Sequence, residues 1–243
     1  MNRGAIARII DFSAVDGPGN RLVIFLQGCN FNCLYCHNPE TIPLAGEPGD
    51  PAHRPDYTLM TVAEVVARVR RARPFISGVT ISGGECTVQY AFLLALCQAL
   101  QGVAPVLLDT NGQLGRERLE ALLAVTDGIM LDIKALDPEA HRQLTGTDNR
   151  LVLDTFRQAL ASGKVAEVRT VIRGGVEDGP AAVAWVAREL AGVNPDIPYR
   201  IIRYRPHGVR KTLLSQLKPP DDALMARCRQ LAEDAGLTRV TVV

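Results

Sequence analysis

No apolar run in this 243-residue sequence approaches the ~20 residues that a bilayer-spanning helix needs. The opening Met1-Asn-Arg-Gly-Ala-Ile6 holds no apolar core long enough for a secretory signal, so a cytoplasmic location is expected. Neither charge sign dominates: the formal net charge is +1, which gives no general attraction for nucleic acid or membrane and predicts partners of neither kind. A second C-x-x-C pair is also missing, which removes the usual structural zinc pattern.

What is present supports a packed core, with 47% hydrophobic residues and a length suited to one α/β domain. Six cysteines in a chain without a leader are expected to stay reduced, which favours metal or catalysis over disulfides. Cys97 lies on an apolar helical face with Leu93, Leu94 and Leu100, and Cys228 sits among Leu224, Met225 and Leu231. Both read as small buried hydrophobes, and Cys86 as a small turn residue. The other three cluster in Cys29-Asn-Phe-Asn-Cys33-Leu-Tyr-Cys36-His37, directly after the apolar run Leu22–Leu26 and Gln27-Gly28.

Three thiolates at C-x3-C-x2-C can reach one metal centre but are one ligand short of a closed site, which leaves a position open for chemistry. Cys33-Leu-Tyr-Cys36-His37 also satisfies the haem c attachment pattern, but that chemistry accompanies export and leaves Cys29 unexplained. Structural zinc would need a fourth ligand, and His37 beside Cys36 is an awkward bite for one tetrahedral ion. Asn30, Asn32 and Asn38 make the loop too polar for unligated core cysteines. An iron–sulfur centre with one iron free of protein sulfur is the reading that remains.

Short β-rich runs alternate with helical periods along the chain. Strands are expected at Leu22–Leu26, Gly78–Ser82, Pro105–Asp109, Ile129–Ile133, Glu167–Ile172 and Tyr199–Arg203. Thr61 with Glu64 forms a capping box before the stripe Val62, Val65, Val66 and Val69. Further helices are expected at Tyr90–Leu100, Arg116–Leu123 and Leu151–Leu160, from Pro180 to Gly192, and from Pro219-Pro-Asp-Asp222 to Gly236. Six β-α units predict a parallel sheet and a partial (β/α)6 TIM-like barrel in one domain, 1–243. The Pro- and Gly-rich loop 39–57 breaks the pattern and reads as a flexible lid or partner-facing segment.

Barrels of this kind collect their chemistry at the carboxyl ends of strands. There the sequence places Ser82-Gly-Gly-Glu85, Asp109-Thr-Asn-Gly112 and Asp132-Ile-Lys134, with Arg169 on strand five and Arg205-Pro-His207-Gly208 after strand six. Each is weak alone; together with the cysteine loop they form a converging set.

On these residues the chain resembles the radical S-adenosylmethionine (SAM) superfamily. Val15-Asp-Gly-Pro-Gly19, Phe25-Leu-Gln-Gly-Cys29, Cys36-His-Asn38, Ser82–Glu85, Leu108–Gly112 and Met130–Lys134 are similar to motifs of pyruvate formate-lyase activating enzymes. His141-Arg-Gln-Leu-Thr-Gly146 and Arg205–Gly208 resemble their YjjW-type relatives. The resemblance implies that Cys29, Cys33 and Cys36 bind one [4Fe–4S] cluster whose fourth iron takes SAM. It implies Ser82, Gly83, Gly84 and Glu85 at the methionine amino group, Lys134 on the SAM carboxylate and Asp132 on the ribose. Tyr35, His37, Val171 and His207 would line the adenine. Asp109, Thr110 and Met130, beside Asp132, resemble the family's monovalent-cation site. Asp16, Gly17 and Arg169 would grip the glycine loop of a partner glycyl-radical enzyme. Residues 39–57 hold no cysteine, so the ferredoxin-like insertion of many relatives is lacking, and a flavodoxin- or ferredoxin-like donor is expected to reduce the single cluster directly. The chain also has Arg173-Gly174-Gly175 where the family favours Val-Pro-Gly. Direct modification of a small molecule or peptide, and a non-catalytic iron–sulfur redox module, are the alternatives.

Overall fold

The computed structural model describes residues 3–46, 56–175 and 178–243, which group into two compact units. The first comprises Met1–Asn30, Asn38–Thr110 and Leu114–Met130; the second comprises Phe31–His37, Asn111–Gln113 and Leu131–Val243.

In the first unit the strands are β1 (Arg3–Ser13), β2 (Arg21–Leu26), β3 (Thr58–Thr61), β4 (Gly78–Gly83), β5 (Val106–Thr110) and β6 (Gly128–Asp132), the last running to the unit's edge. Their order is β3-β1-β2-β4-β5-β6. β2, β4 and β5 are parallel, and β1 is antiparallel to both β2 and β3. Every residue of β2 is buried, as expected of a strand covered on both faces. Helices α1 (Val62–Ala72), α2 (Tyr90–Leu100) and α3 (Arg116–Leu123) connect them. The Thr61 capping box is formed: Thr61 Oγ1 accepts from the Glu64 amide, and the Glu64 carboxylate accepts from the Thr61 amide at 2.7 Å.

In the second unit the order continues from the end of β6 through β7 (Val165–Ile172), β8 (Tyr199–Arg203) and β9 (Val240–Val242), with β7, β8 and β9 parallel. Its helices are α4 (Pro138–Thr145), α5 (Arg150–Ala161), α6 (Asp178–Ala191) and α7 (Asp222–Asp234). Asp137 caps α4 by accepting from the Ala140 amide at 2.7 Å, and Asp221 caps α7 by accepting from Leu224 at 2.8 Å. Among the described residues no helix is long and apolar enough to cross a membrane.

All six expected strands are present with ends shifted by at most two residues. β1, β3, β9 and α4 lie beyond those expectations. β1 carries register shifts between Ile6 and Arg8 and between Ile10 and Ser13, so its side chains do not alternate with the clean period of two that marks a strand in sequence. Among the described residues α6 runs from Asp178, so Pro180 is not its first residue. Of the expected lid loop, Pro39–Thr41 form one 3-10 turn, whereas residues 47–55 lie outside the described residues.

Candidate active site

The turn after β4 is built by close backbone approach within the first unit. The Gly84 amide donates to the Leu26 carbonyl at 3.0 Å, and the Glu85 amide to the Gly28 carbonyl at 2.8 Å. A Cβ on Gly83 would lie 2.2 Å from the Leu26 carbonyl oxygen, and one on Gly84 2.5 Å from those of Gly28 and Thr41. These two glycines are therefore required by the chain's own backbone at the end of β2 and in the cysteine loop. The same contacts set Cys29, whose amide donates to the Ile42 carbonyl at 3.0 Å.

Glu85 is buried, and its Oε1 accepts from the Thr87 hydroxyl at 2.6 Å, the Thr87 amide at 3.0 Å and the Thr110 hydroxyl at 2.8 Å. Its carboxylate thus ties the ends of β4 and β5 together. Ser82 Oγ donates to Asp109 Oδ2 at 2.9 Å. Met130 is fully buried in β6. The Cys86 thiol lies 3.5 Å from the Asp109 carbonyl oxygen, and burial pushes its pKa well up, so it stays protonated.

Thr80, two positions before Ser82, shares its face of β4. Its hydroxyl donates to the Asp16 carbonyl at 2.6 Å and accepts from Arg21 Nε at 2.7 Å. The Asp16 side chain accepts from Ser13 Oγ at 2.5 Å. Gly17 has φ +124°, and a Cβ there would meet the Arg21 side chain at 2.7 Å. The Asp16–Gly17 turn therefore folds against the strand face that also presents Ser82.

In the second unit the loop 31–37 is held by its main chain. The amides of Asn32 and Leu34 donate to the carbonyls of Thr145 and Leu144 at 2.8 and 2.9 Å, and Cys36 donates to the Cys33 carbonyl at 3.2 Å. The carbonyls belong to the last turn of α4, which Gly146 ends in the left-handed conformation. His141, fully buried on α4, bonds Thr145 Oγ1 at 3.1 Å through Nδ1 and meets Phe31 edge-on at 5.4 Å. The His141–Gly146 motif is thus the seat of the cysteine loop.

Asp132 and Lys134 pair at 2.8 Å. Burial opposes charge on both, but the pair wins. Lys134 and Arg169 hold the Asp132 carboxyl below its usual range, and Asp132, Tyr35 and Cys33 raise Lys134 well above its own. The ammonium also stands 5.7 Å from the centre of the Tyr35 ring. Tyr35 is packed with Leu144, Tyr204, Val209 and Leu217, against which Val171 also lies. His37 Nε2 is 3.1 Å from the Arg205 carbonyl oxygen, whereas His207 is exposed. Arg169 pairs with Glu167, which also takes Arg200 at 3.1 Å. Arg210 donates from Nη2 to the Cys33 carbonyl at 3.1 Å.

All six cysteines are thiols outside any disulfide. Burial raises Cys33 to about 11, with Lys134 pulling it back down. Among the described residues no three His, Cys, Asp or Glu side chains converge as a single ion would require. An iron–sulfur cluster makes no such demand, because each of its irons takes its own thiolate. Leu144 and Thr145 stood inside the His141–Gly146 motif, but their role through main-chain carbonyls escaped the sequence reading, as did Thr87 and Arg210, which have no motif of their own.

A model of the radical SAM superfamily matches residues 23–182. A Haemophilus influenzae protein assigned provisionally as a glycyl-radical enzyme activating enzyme is 36% identical over 95% of both chains. The pyruvate formate-lyase-activating enzyme of Clostridium pasteurianum is 32% identical over 87% of this chain and 86% of its own. Among solved structures, a domain of the Bacteroides vulgatus pyruvate-formate lyase-activating enzyme superposes with TM-score 0.57 at 21% identity, over 69% of this chain and 99% of that one. Streptococcus suis SuiB bound to precursor peptide SuiA gives TM-score 0.64 at 17% identity over 90% and 48%. These structural likenesses carry the fold: α/β, of incomplete-barrel type with parallel strands.

Proposed function

Since the chain belongs to the radical SAM superfamily, among its glycyl-radical enzyme activating enzymes, we propose that it works as one catalytic domain in which Cys29, Cys33 and Cys36 hold one [4Fe–4S] cluster. An iron–sulfur cluster and SAM belong to the family's chemistry. Held there and reduced, the cluster would supply the one electron that splits the S–C5′ bond of SAM into methionine and a 5′-deoxyadenosyl radical, and that radical would take a hydrogen atom from a glycine Cα of the partner enzyme. The observation that supports the assignment is the main-chain seat of Cys33: the amides of Asn32 and Leu34 on either side of it donate to carbonyls in the last turn of α4.

The protein's own groups then divide the work. Lys134, kept charged by Asp132 and partly shielded from water, offers its ammonium to the SAM carboxylate, and Asp132 turns its second oxygen to the ribose. Ser82 and the Gly83-Gly84 backbone receive the methionine amino group. Glu85 acts through Thr87 and Thr110 by fixing that turn. Asp109, Thr110 and Met130, with Asp132, form the cation site. His37, His207, Val171 and the Tyr35 edge border the adenine. Asp16, Gly17 and Arg169 receive the partner's glycine loop. The electron donor is a small flavodoxin- or ferredoxin-like protein, and the setting is the cytoplasm, away from nucleic acid and membrane.

Anaerobic reconstitution with iron, sulfide, SAM and reductant tests this. The wild type should hold about four irons per chain, as one [4Fe–4S] cluster requires, and release 5′-deoxyadenosine. Cys33→Ala should do neither, and mixing with the partner should give a glycine-centred EPR doublet. Iron binding without 5′-deoxyadenosine would point to the redox module instead.

A further inference from the structure

Residues 205–210 close over the loop carrying Cys33 and Cys36 through contacts of several kinds. The Arg205 carbonyl meets His37. Gly208 lies so near the His37 backbone that a Cβ would stand 2.8 Å from its carbonyl oxygen. Val209 is packed in the cluster around Tyr35. Arg210 then reaches the loop itself, donating from Nη2 to the Cys33 carbonyl at 3.1 Å and to the Asn32 carbonyl at 3.4 Å. Its Nε is buried without a hydrogen-bond partner among the described residues. The segment's next turn begins from the same residue, since the Leu213 amide donates to the Arg210 carbonyl at 2.9 Å.

The Cys33 peptide is therefore gripped on one side by the α4 carbonyls and on the other by a guanidinium. We propose that Arg210 is a positioning residue for the iron–sulfur centre: it fixes the Cys33 peptide and supplies a permanent positive charge beside that ligand, favouring the reduced cluster. This rests on the proposed role of Cys29, Cys33 and Cys36. The physical ground is that reduction adds negative charge to the centre, and a fixed cation near a ligand stabilises the more negative state, so the potential rises.

The test compares wild type, Arg210→Gln and Arg210→Lys after anaerobic reconstitution, by iron and sulfide content, EPR of the reduced cluster and redox titration. The Gln variant should keep its iron but show about a tenfold smaller reduced-to-oxidised ratio at a fixed poise, a fall of about 59 mV for a one-electron couple. The Lys variant should recover most of it. A Gln variant that titrates like wild type overturns the proposal. Should Gln lose iron, an unchanged melting temperature of the metal-free protein together with iron regained in the Lys variant supports it. Loss of iron in both variants with lowered melting overturns it, because the residue is then structural only. The cluster assignment is judged separately on wild type and Cys33→Ala, whose failure would show before any Arg210 variant is read.

Discussion

Replacing Asp132 by Asn should destabilise the metal-free protein by about 3 kcal/mol. Lys134 and Asp132 stand 2.8 Å apart, with side-chain exposures of 10% and 31%. At that separation an effective dielectric of ~20 gives an attraction of roughly 6 kcal/mol. Desolvation opposes it, and breaking a buried pair by removing one partner typically costs about 3–5 kcal/mol. The partial exposure of Asp132 puts the expectation at the low end. For a chain of this size about 3 kcal/mol corresponds to a fall in Tm of roughly 6–12 °C. The assay is urea and thermal unfolding of the metal-free protein by circular dichroism, with the double variant Asp132→Asn/Lys134→Met alongside. The double variant should be more stable than Asp132→Asn alone, because no ammonium is then stranded. The Asp132 carboxyl is held below its unfolded value, so its contribution is complete above about pH 4 and fades as pH falls through the lowered folded value. The Asn penalty should shrink over that acid range. A penalty under about 0.5 kcal/mol at pH 7, or one that is the same at pH 3, would refute the reasoning by showing a solvated pair.

Further outcomes follow from the same contacts. Gly84→Ala places a Cβ 2.5 Å from two carbonyl oxygens and should cost more than the about 1–3 kcal/mol of ordinary overpacking, read as a lowered urea midpoint or insoluble expression. Glu85→Gln weakens the bonds from Thr87 and Thr110 and should lose about 1.5–3 kcal/mol in the same unfolding assay. Asp137→Ala removes the α4 cap, an expected loss of about 1 kcal/mol, with faster amide exchange at the start of that helix. Asp11, lowered chiefly by its bond to Arg68, is half-exposed, so Asp11→Asn should cost only about 0.5 kcal/mol above pH 4, a penalty that fades as pH falls through the lowered folded value.

The covered strands were legible because Leu22–Leu26 and its parallel neighbours are apolar runs bounded by turn residues. β1 was not, because its bulges scramble the alternation, and β9 has only three residues. At the site, the cysteine spacing and the polar residues at strand ends stood out in the sequence. The reason for Gly83 and Gly84 did not, since it depends on Leu26, Gly28 and Thr41 arriving beside them. Arg210 was equally hidden: a basic residue in a basic stretch looks like surface, and only the fold reveals that its donor meets the Cys33 carbonyl.

The anchoring of the cysteine loop through peptide groups has an evolutionary corollary. At position 32 the side chain is exposed while the amide is committed to Thr145. Drift there should admit nearly any residue except proline, which has no amide hydrogen to give. A saturation library at that codon, sorted by iron content, should return a single forbidden letter.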